Sequence, residues 1–211
     1  TRILSAKGFS YLGNALSWDD KQPEAEIEMA KAVAIAESLG SEYRDDTNIQ
    51  QVVWRVFILA SSIYEGIVNE RSLEFAQLAQ QTAEKAVQSD PADTQARQNL
   101  AKSFSRLGIV YALVNKLKDA TLYLEKADGV LSGLIENEPN NREYQNDLGK
   151  LFTRFGDTRE RQGDLRGSLA AFQRSASLFD TIARTDERNT LARRDLAQSL
   201  KSVGNVYLKL N

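Results

Sequence analysis

Apolar residues recur along the chain in two alternating kinds of stripe, both with helical spacing. In the first kind, Phe9, Phe57, Phe104, Phe152 and Leu200 stand four positions before a small residue, respectively Gly13, Ser61, Gly108, Gly156 and Gly204. Leu12, Ala60, Leu107, Phe155 and Val203 stand one position before it, and Leu16, Tyr64, Tyr111, Arg159 and Tyr207 three positions after it. Offsets of four, one and three put these side chains on one face of a helix, with the small residue where a neighbouring backbone can approach. In the second kind, Leu117, Ala120, Leu124, Ala127, Leu131 and Leu134 step by three or four, as do Leu165, Leu169, Phe172, Ala176, Phe179 and Ile182. The stripes predict first helices near 2–17, 48–67, 94–114, 142–161 and 190–209, and second helices near 23–40, 71–88, 117–136 and 165–184.

Punctuation between the stripes agrees with this reading. Asn115 and Gly163 can take the left-handed conformation that ends a helix, so first and second helices form antiparallel hairpins. Asp90-Pro91, Glu138-Pro139-Asn140-Asn141 and Asp186-Glu187-Arg188-Asn189-Thr190 separate one hairpin from the next, because Pro disfavours helix in the residue before it and Asn, Asp or Thr caps the helix that follows. The small residues are 48, 47, 48 and 48 positions apart. A period of that length marks stacked units, none of which can bury its apolar face alone. The expected organisation is one all-α repeat domain over 1–211, with repeats at about 1–45, 46–92, 93–140 and 141–188 and a half repeat at 189–211. A chain that starts on Thr1 and stops within a repeat reads as a piece of a longer protein.

Composition narrows the function. With 42% hydrophobic and 27% charged residues among 211, the chain is long enough for a substantial core. A formal net charge of −2 argues against general nucleic-acid binding, which needs a clear excess of Lys and Arg. No apolar run approaches the roughly 20 residues that span a bilayer; the richest, Val52 to Ala60, is cut by Arg55. The absence of Cys is compatible with either redox compartment, so the domain could be cytoplasmic or extracytoplasmic. The chain also has no His, which removes the usual general base and the commonest metal ligand, while missing Cys removes the strongest nucleophile. No phosphate-binding GxxxxGK[ST] or GxGxxG run occurs. Glu24, Glu26 and Glu28 diverge around a helix start, and neither they nor Asp45 and Asp46 have calcium-loop spacing. No enzyme, metal or cofactor is expected. Trp18, beside a turn, is read as a capping contact.

The repeated columns resemble the tetratricopeptide repeat family: an aromatic residue, Leu-Gly and Tyr on the first helix, then Ala followed four residues later by a large apolar residue on the second. Phe104, Leu107, Gly108, Tyr111, Ala120 and Leu124 follow that pattern. Phe152, Phe155, Gly156 and Phe172 repeat it, with Arg159 for Tyr and Ser168 for Ala, and Phe9, Leu12, Gly13, Ala25 and Met29 give a third copy with Leu16 at the Tyr position. The second copy keeps Phe57 and Tyr64, has Ser61 for Gly, and aligns Ser72 and Ala76 only with a one-residue deletion. Family repeats are about 34 residues, so this chain adds roughly one heptad to each helix. It is similar to long-helix variants found beside bacterial signalling domains, including the C-terminal regions of some Ser/Thr protein kinases.

The resemblance implies a right-handed α-α superhelix of about four and a half helix-turn-helix repeats, whose first helices line a groove that binds a protein or peptide. The expected groove residues are Lys7, Asn14, Arg55, Lys102, Ser105, Arg106, Lys150, Thr153, Arg154, Asp157, Lys201 and Asn205. Lys7, Arg55, Lys102, Lys150 and Gln198, each six before the small residue, form a ladder that is basic in four of five repeats. Some family members hold a terminal carboxylate with a Lys and an Arg one turn apart. Lys102 with Arg106 and Lys150 with Arg154 match that element, whereas Ser10 and Leu59 depart from the Lys and Asn expected elsewhere in it. The implied role is a non-catalytic recruiting or regulatory module of a larger signalling protein, as a monomer or weak dimer, with an acidic partner group. The alternative is an oligomerisation or spacer module.

Overall fold

A computed structural model describes residues 1–185 and 188–210. Asp186 and Glu187, part of the last separator, lie outside the described residues, as does Asn211. Among the described residues there are nine α-helices and no strand: α1 (Arg2–Trp18), α2 (Gln22–Glu42), α3 (Thr47–Ile63), α4 (Asn69–Ser89), α5 (Thr94–Leu113), α6 (Leu117–Asn137), α7 (Arg142–Arg161), α8 (Leu165–Thr185) and α9 (Thr190–Leu210). The all-α expectation holds, and each helix starts and ends within a few residues of its stripe. Asp46, Asp93, Asn141 and Asn189 accept hydrogen bonds from free backbone N–H groups at the starts of α3, α5, α7 and α9. Asn115 and Gly163 take positive φ, 60° and 81°. The departure is α3, expected to reach 67. It stops at Ile63 because the chain turns through Gly66, whose φ of 77° is incompatible with continuing the helix.

The helices fall into two compact units, Thr1–Val114 with α1 to α5 and Asn115–Asn211 with α6 to α9. Within the first, successive helices pack in order, and α1 and α5 also touch α3. Its core runs through Ala25, Met29, Ala32, Ala36 and Leu39 of α2, a stripe that meets Val52, Val56, Phe57 and Ala60 of α3, and then Phe75, Ala79 and Ala83 of α4. Within the second, α6 to α9 also pack in order and α9 touches α7. Leu124, Leu131 and Leu134 of α6, Leu148, Leu151, Phe152 and Phe155 of α7, and Phe172, Phe179 and Ile182 of α8 are buried. Each such side chain contributes about 1.5–3 kcal/mol of apolar burial.

At Gly13, Ser61 and Gly156 the small-residue column meets the second helix of its hairpin, whereas Gly204 of α9 has nothing within 4 Å of its missing Cβ. A Cβ on Gly13 would lie 2.9 Å from the Ala25 carbonyl oxygen, and one on Gly156 2.5 Å from Cε1 of Phe172. In the second hairpin the position is Ser61, and it faces Ser72. The Ser61 hydroxyl donates to the Ser72 carbonyl and the Ser72 hydroxyl to the Ser61 carbonyl, both at 2.8 Å. Two buried hydroxyls thus replace the Gly/Ala approach, each satisfied by the other helix of the hairpin. Ser168 occupies the matching position in the fourth hairpin, and its buried Oγ has no hydrogen-bond partner.

These contacts separate positions of identical residue type. Gly129, exposed within α6 with nothing near its missing Cβ, should accept Ala with a gain of about 0.5–1 kcal/mol from helix propensity. Gly156→Ala should lose stability, since overpacking of about 1–3 kcal/mol against Phe172 opposes the same gain. Ser168→Ala should gain about 1 kcal/mol by removing an unsatisfied hydroxyl. Urea unfolding of the three variants measures all of this, and equal shifts at the two glycines would overturn the close-approach assignment.

Candidate functional site

Three groove residues expected from the sequence come together in the second unit. Lys150, Thr153 and Arg154 project from α7 into a cleft of about 240 Å³, whose other wall is Arg194, Asp195 and Gln198 of α9 and whose floor is Phe179 of α8. The cleft exists because α7 and α8 pack closely beneath it. Gly149 gives room for the Phe179 ring, since a Cβ there would lie 2.8 Å from Cζ. Beside that contact, Ser175 donates to the Gly149 carbonyl at 2.9 Å and lies 2.9 Å from both the Thr153 and the Ser199 hydroxyls. Ser199 also donates to the Asp195 carbonyl at 2.9 Å. This network ties α7, α8 and α9 together directly under the polar walls.

Three cations line the cleft against one carboxylate. Arg194 pairs with Asp195 beside it at 3.2 Å, and Arg154 lies 3.8 Å from Asp157. Arg154 and Asp157 are each about half exposed, so solvent screens their attraction. Desolvation pushes the Asp157 carboxyl above its ordinary value, the Arg154 charge opposes that, and Glu160 adds to it. Lys201 and Asn205 are exposed one and two turns beyond Gln198 on α9. Gln198 belongs to the ladder read from the sequence. Arg194 and Asp195 were missed, because no other basic residue stands in the Arg194 column, Asp195 is matched only by Asp147, and only the α7/α9 contact brings them to Lys150.

The first unit treats its expected residues differently. Lys7 and Asn14 are half-buried on α1, as are Lys102 and Ser105 on α5. Arg55 is exposed on α3, with Nη1 donating to the Tyr11 hydroxyl at 3.4 Å. Arg106 is only 8% exposed. Its Nε donates to the Ser61 hydroxyl at 2.8 Å, its Nη2 to the Ser61 carbonyl at 2.6 Å and its Nη1 to Glu65 at 2.5 Å. The guanidinium therefore lies in the α3/α5 contact beside the serine pair, where Trp54 also donates from Nε1 to Ser103 at 2.8 Å. Its partners come from the substitution of Ser for Gly in the neighbouring repeat, which column counting on α5 does not see.

A second cavity, of about 320 Å³, opens among α6, α7 and α8 over Phe152 and Phe155. Its aromatic floor is already covered: Arg174 lies 4.0 Å from the Phe152 ring centre and Arg159 5.6 Å from that of Phe155. Arg159, standing at the Tyr column, also donates to the Gly167 carbonyl at 3.3 Å. Trp18, expected to cap a turn, is instead 80% exposed, because the turn after α1 closes through backbone bonds from Asp19 and Lys21 to Leu16. No helix of the described residues is long and apolar enough to cross a membrane.

No protein-family model matches the chain, and no curated protein matches it either. Solved structures do. BtubC (BKLC) from P. vanneervenii is 13% identical, with 98% of this chain and 82% of that one covered and a TM-score of 0.51. The DHF58 filament is 18% identical, covering 98% and 92%, at a TM-score of 0.36. The de novo designed helical repeat protein DHR64 is 15% identical, covering 99% and 92%, at 0.33. At these identities the BtubC likeness is one of fold, that of a helical repeat array.

The two Lys/Arg pairs read alike in sequence and differ in burial, so charge reversal separates them. Arg106→Glu sets a carboxylate against Glu65 in a buried contact and should cost about 3–5 kcal/mol, visible as a large drop in melting temperature. Lys150→Glu, on an exposed wall, should leave the melting temperature within about 2 °C of the parent. Equal thermal shifts would overturn the distinction.

Proposed function

We propose that this chain is a non-catalytic interaction module of the tetratricopeptide type, which holds an acidic segment of a protein partner in the cleft between α7 and α9. The observation that carries the reading is the convergence of Lys150, Arg154 and Arg194 on one cleft whose lining includes a single carboxylate, Asp195. An Arg guanidinium offers two parallel N–H groups to a carboxylate, and Gln198 and Thr153 add polar partners beside it. The charge distribution favours the same ligand. Residues 1–114 carry 11 basic and 15 acidic side chains, whereas residues 115–211 carry 16 basic and 14 acidic. At about 240 Å³ the cleft suits one or two side chains of a peptide, below the roughly 300–1,000 Å³ typical of small-molecule pockets.

The non-catalytic part rests on composition, since a chain without His or Cys lacks the groups that most acid-base and nucleophilic chemistry uses. The long repeats support a place beside a bacterial signalling domain such as a Ser/Thr kinase, where a peptide-holding array would recruit or regulate.

A fluorescein-labelled decapeptide rich in Glu and Asp, with a free C-terminal carboxylate, should raise its anisotropy on titration with the protein. The Lys150→Glu/Arg154→Glu double variant should weaken that binding by roughly tenfold or more, equivalent to about 1.4 kcal/mol. Lys118→Glu, on the exposed surface of α6, should leave it unchanged. Equal affinity for parent and double variant sinks the assignment of the cleft.

A further inference from the structure

The cavity over Phe152 and Phe155 is built where one repeat departs from the others twice. One position before the small residue the other repeats place Leu12, Ala60, Leu107 and Val203, and the fourth places Phe155. Three positions after it the others carry Leu16 or a Tyr, and the fourth carries Arg159. Both substituted side chains line the same space of about 320 Å³, whose lining comes from α6, α7 and α8 alone. Neither α1 nor α9 contributes to it. Phe152 and Phe155 lie 5.7 Å apart, ring centre to ring centre, and both are buried, so they form one apolar floor.

Opposite charges stand on different helices around that floor without pairing. Glu125 and Asp128 are one turn apart on α6, and no Lys or Arg lies three or four residues from either. The helix therefore supplies none of the neighbours that usually neutralise such a pair, and two like charges at this spacing weaken it slightly. Among the described residues neither carboxylate forms an ion pair, and the bond that Asp128 accepts from Ser132 is long, at 3.5 Å. Arg174 and Arg159 form no ion pair either; each lies over a floor ring, and Arg159 is tied to the Gly167 carbonyl. In the first hairpin Lys31 matches Arg174 and lies 5.4 Å from the Phe9 ring centre, yet it pairs with Glu28 at 2.7 Å. A guanidinium with one face against a ring keeps its N–H edges for an incoming carboxylate.

We propose that this cavity binds a small zwitterion of the free amino-acid class, with its carboxylate on Arg174 and Arg159 and its ammonium on Glu125 and Asp128. A ligand with only a negative charge would leave the α6 carboxylates unanswered and meet their repulsion. One with only a positive charge would meet the two guanidinium groups in the same way. A molecule that carries both charges satisfies both sets at once, and its apolar body covers the phenylalanine floor. Size agrees, since about 320 Å³ falls at the small end of the roughly 300–1,000 Å³ of small-molecule pockets. The α7/α9 cleft, with three cations against one carboxylate, has no such balance.

The common free amino acids, screened against the 211-residue chain by thermal unfolding, should include at least one that raises the melting temperature by roughly 5 °C at about 100 times its dissociation constant. Calorimetric titration with that amino acid, its N-acetyl form and its amide should show affinity falling roughly tenfold when either charge is removed. Glu125→Gln/Asp128→Asn, which keeps side-chain shape, should bind the free and N-acetyl forms alike. Arg174→Gln should narrow the gap between the free form and the amide, a change in preference that a loss of stability alone would not produce. Lys150→Glu/Arg154→Glu should leave amino-acid binding unchanged, so failure of the peptide cleft and failure of this cavity are told apart. The proposal is overturned if no amino acid shifts the melting temperature, if the N-acetyl form binds the parent as tightly as the free one, if the Gln/Asn variant keeps the parent's discrimination, or if the cleft variant abolishes binding.

Discussion

The distance between the two helices of a hairpin, set at Gly13, Ser61 and Gly156, is the constraint on which the remaining structure depends. Gly13 admits the Ala25 carbonyl and Gly156 admits the Phe172 ring, and only because those contacts are short do the flanking aromatic and aliphatic columns reach the opposite helix. Close packing tolerates little variation in such a gap. The second hairpin solves the same problem with different chemistry, exchanging an apolar approach for two reciprocal hydroxyl–carbonyl bonds. Its cost is the desolvation of two hydroxyls, which the mutual bonds offset.

Packing of that kind also builds the α7/α9 cleft. Phe179 reaches beneath Lys150 because Gly149 has no side chain, and the Thr153, Ser175 and Ser199 hydroxyls fix the backbone from which the polar wall projects. The cationic side chains are therefore exposed groups on a hydrogen-bonded base. That division suits recognition of a carboxylate, where the donors adjust and the frame does not.

Helix positions were legible in the sequence because two independent signals, apolar period and turn chemistry, agree at nearly every boundary. The end of α3 was not, since Tyr64 continues the apolar stripe while Gly66 already turns the chain. Counting along the repeats placed Lys150, Thr153 and Arg154 on one surface, where they are found. The same count put Arg106 beside them in kind, and its environment is different because Ser61, in another repeat, supplies acceptors that a glycine would not. Column rules treat repeats as equivalent and fail where a neighbour is exceptional. They also misplace Trp18, which the turn after α1 leaves 80% exposed.

The buried cluster of Ser61, Ser72 and Arg106, with Glu65 at its partly exposed edge, bears on how the chain assembles. Hairpins spaced by 47 or 48 residues offer nearly interchangeable apolar faces, and arrays of such units are prone to docking in the wrong order while they fold. If α5 settled on α1 in place of α3, Arg106 would meet Gly13 and Ser17 where it now meets Ser61 and Glu65. It would then carry its charge into an apolar contact without that carboxylate, a penalty of several kcal/mol that the grease of the stripes cannot distinguish or supply. One irregular repeat thereby works as an address label, telling α5 which of two look-alike neighbours is its own.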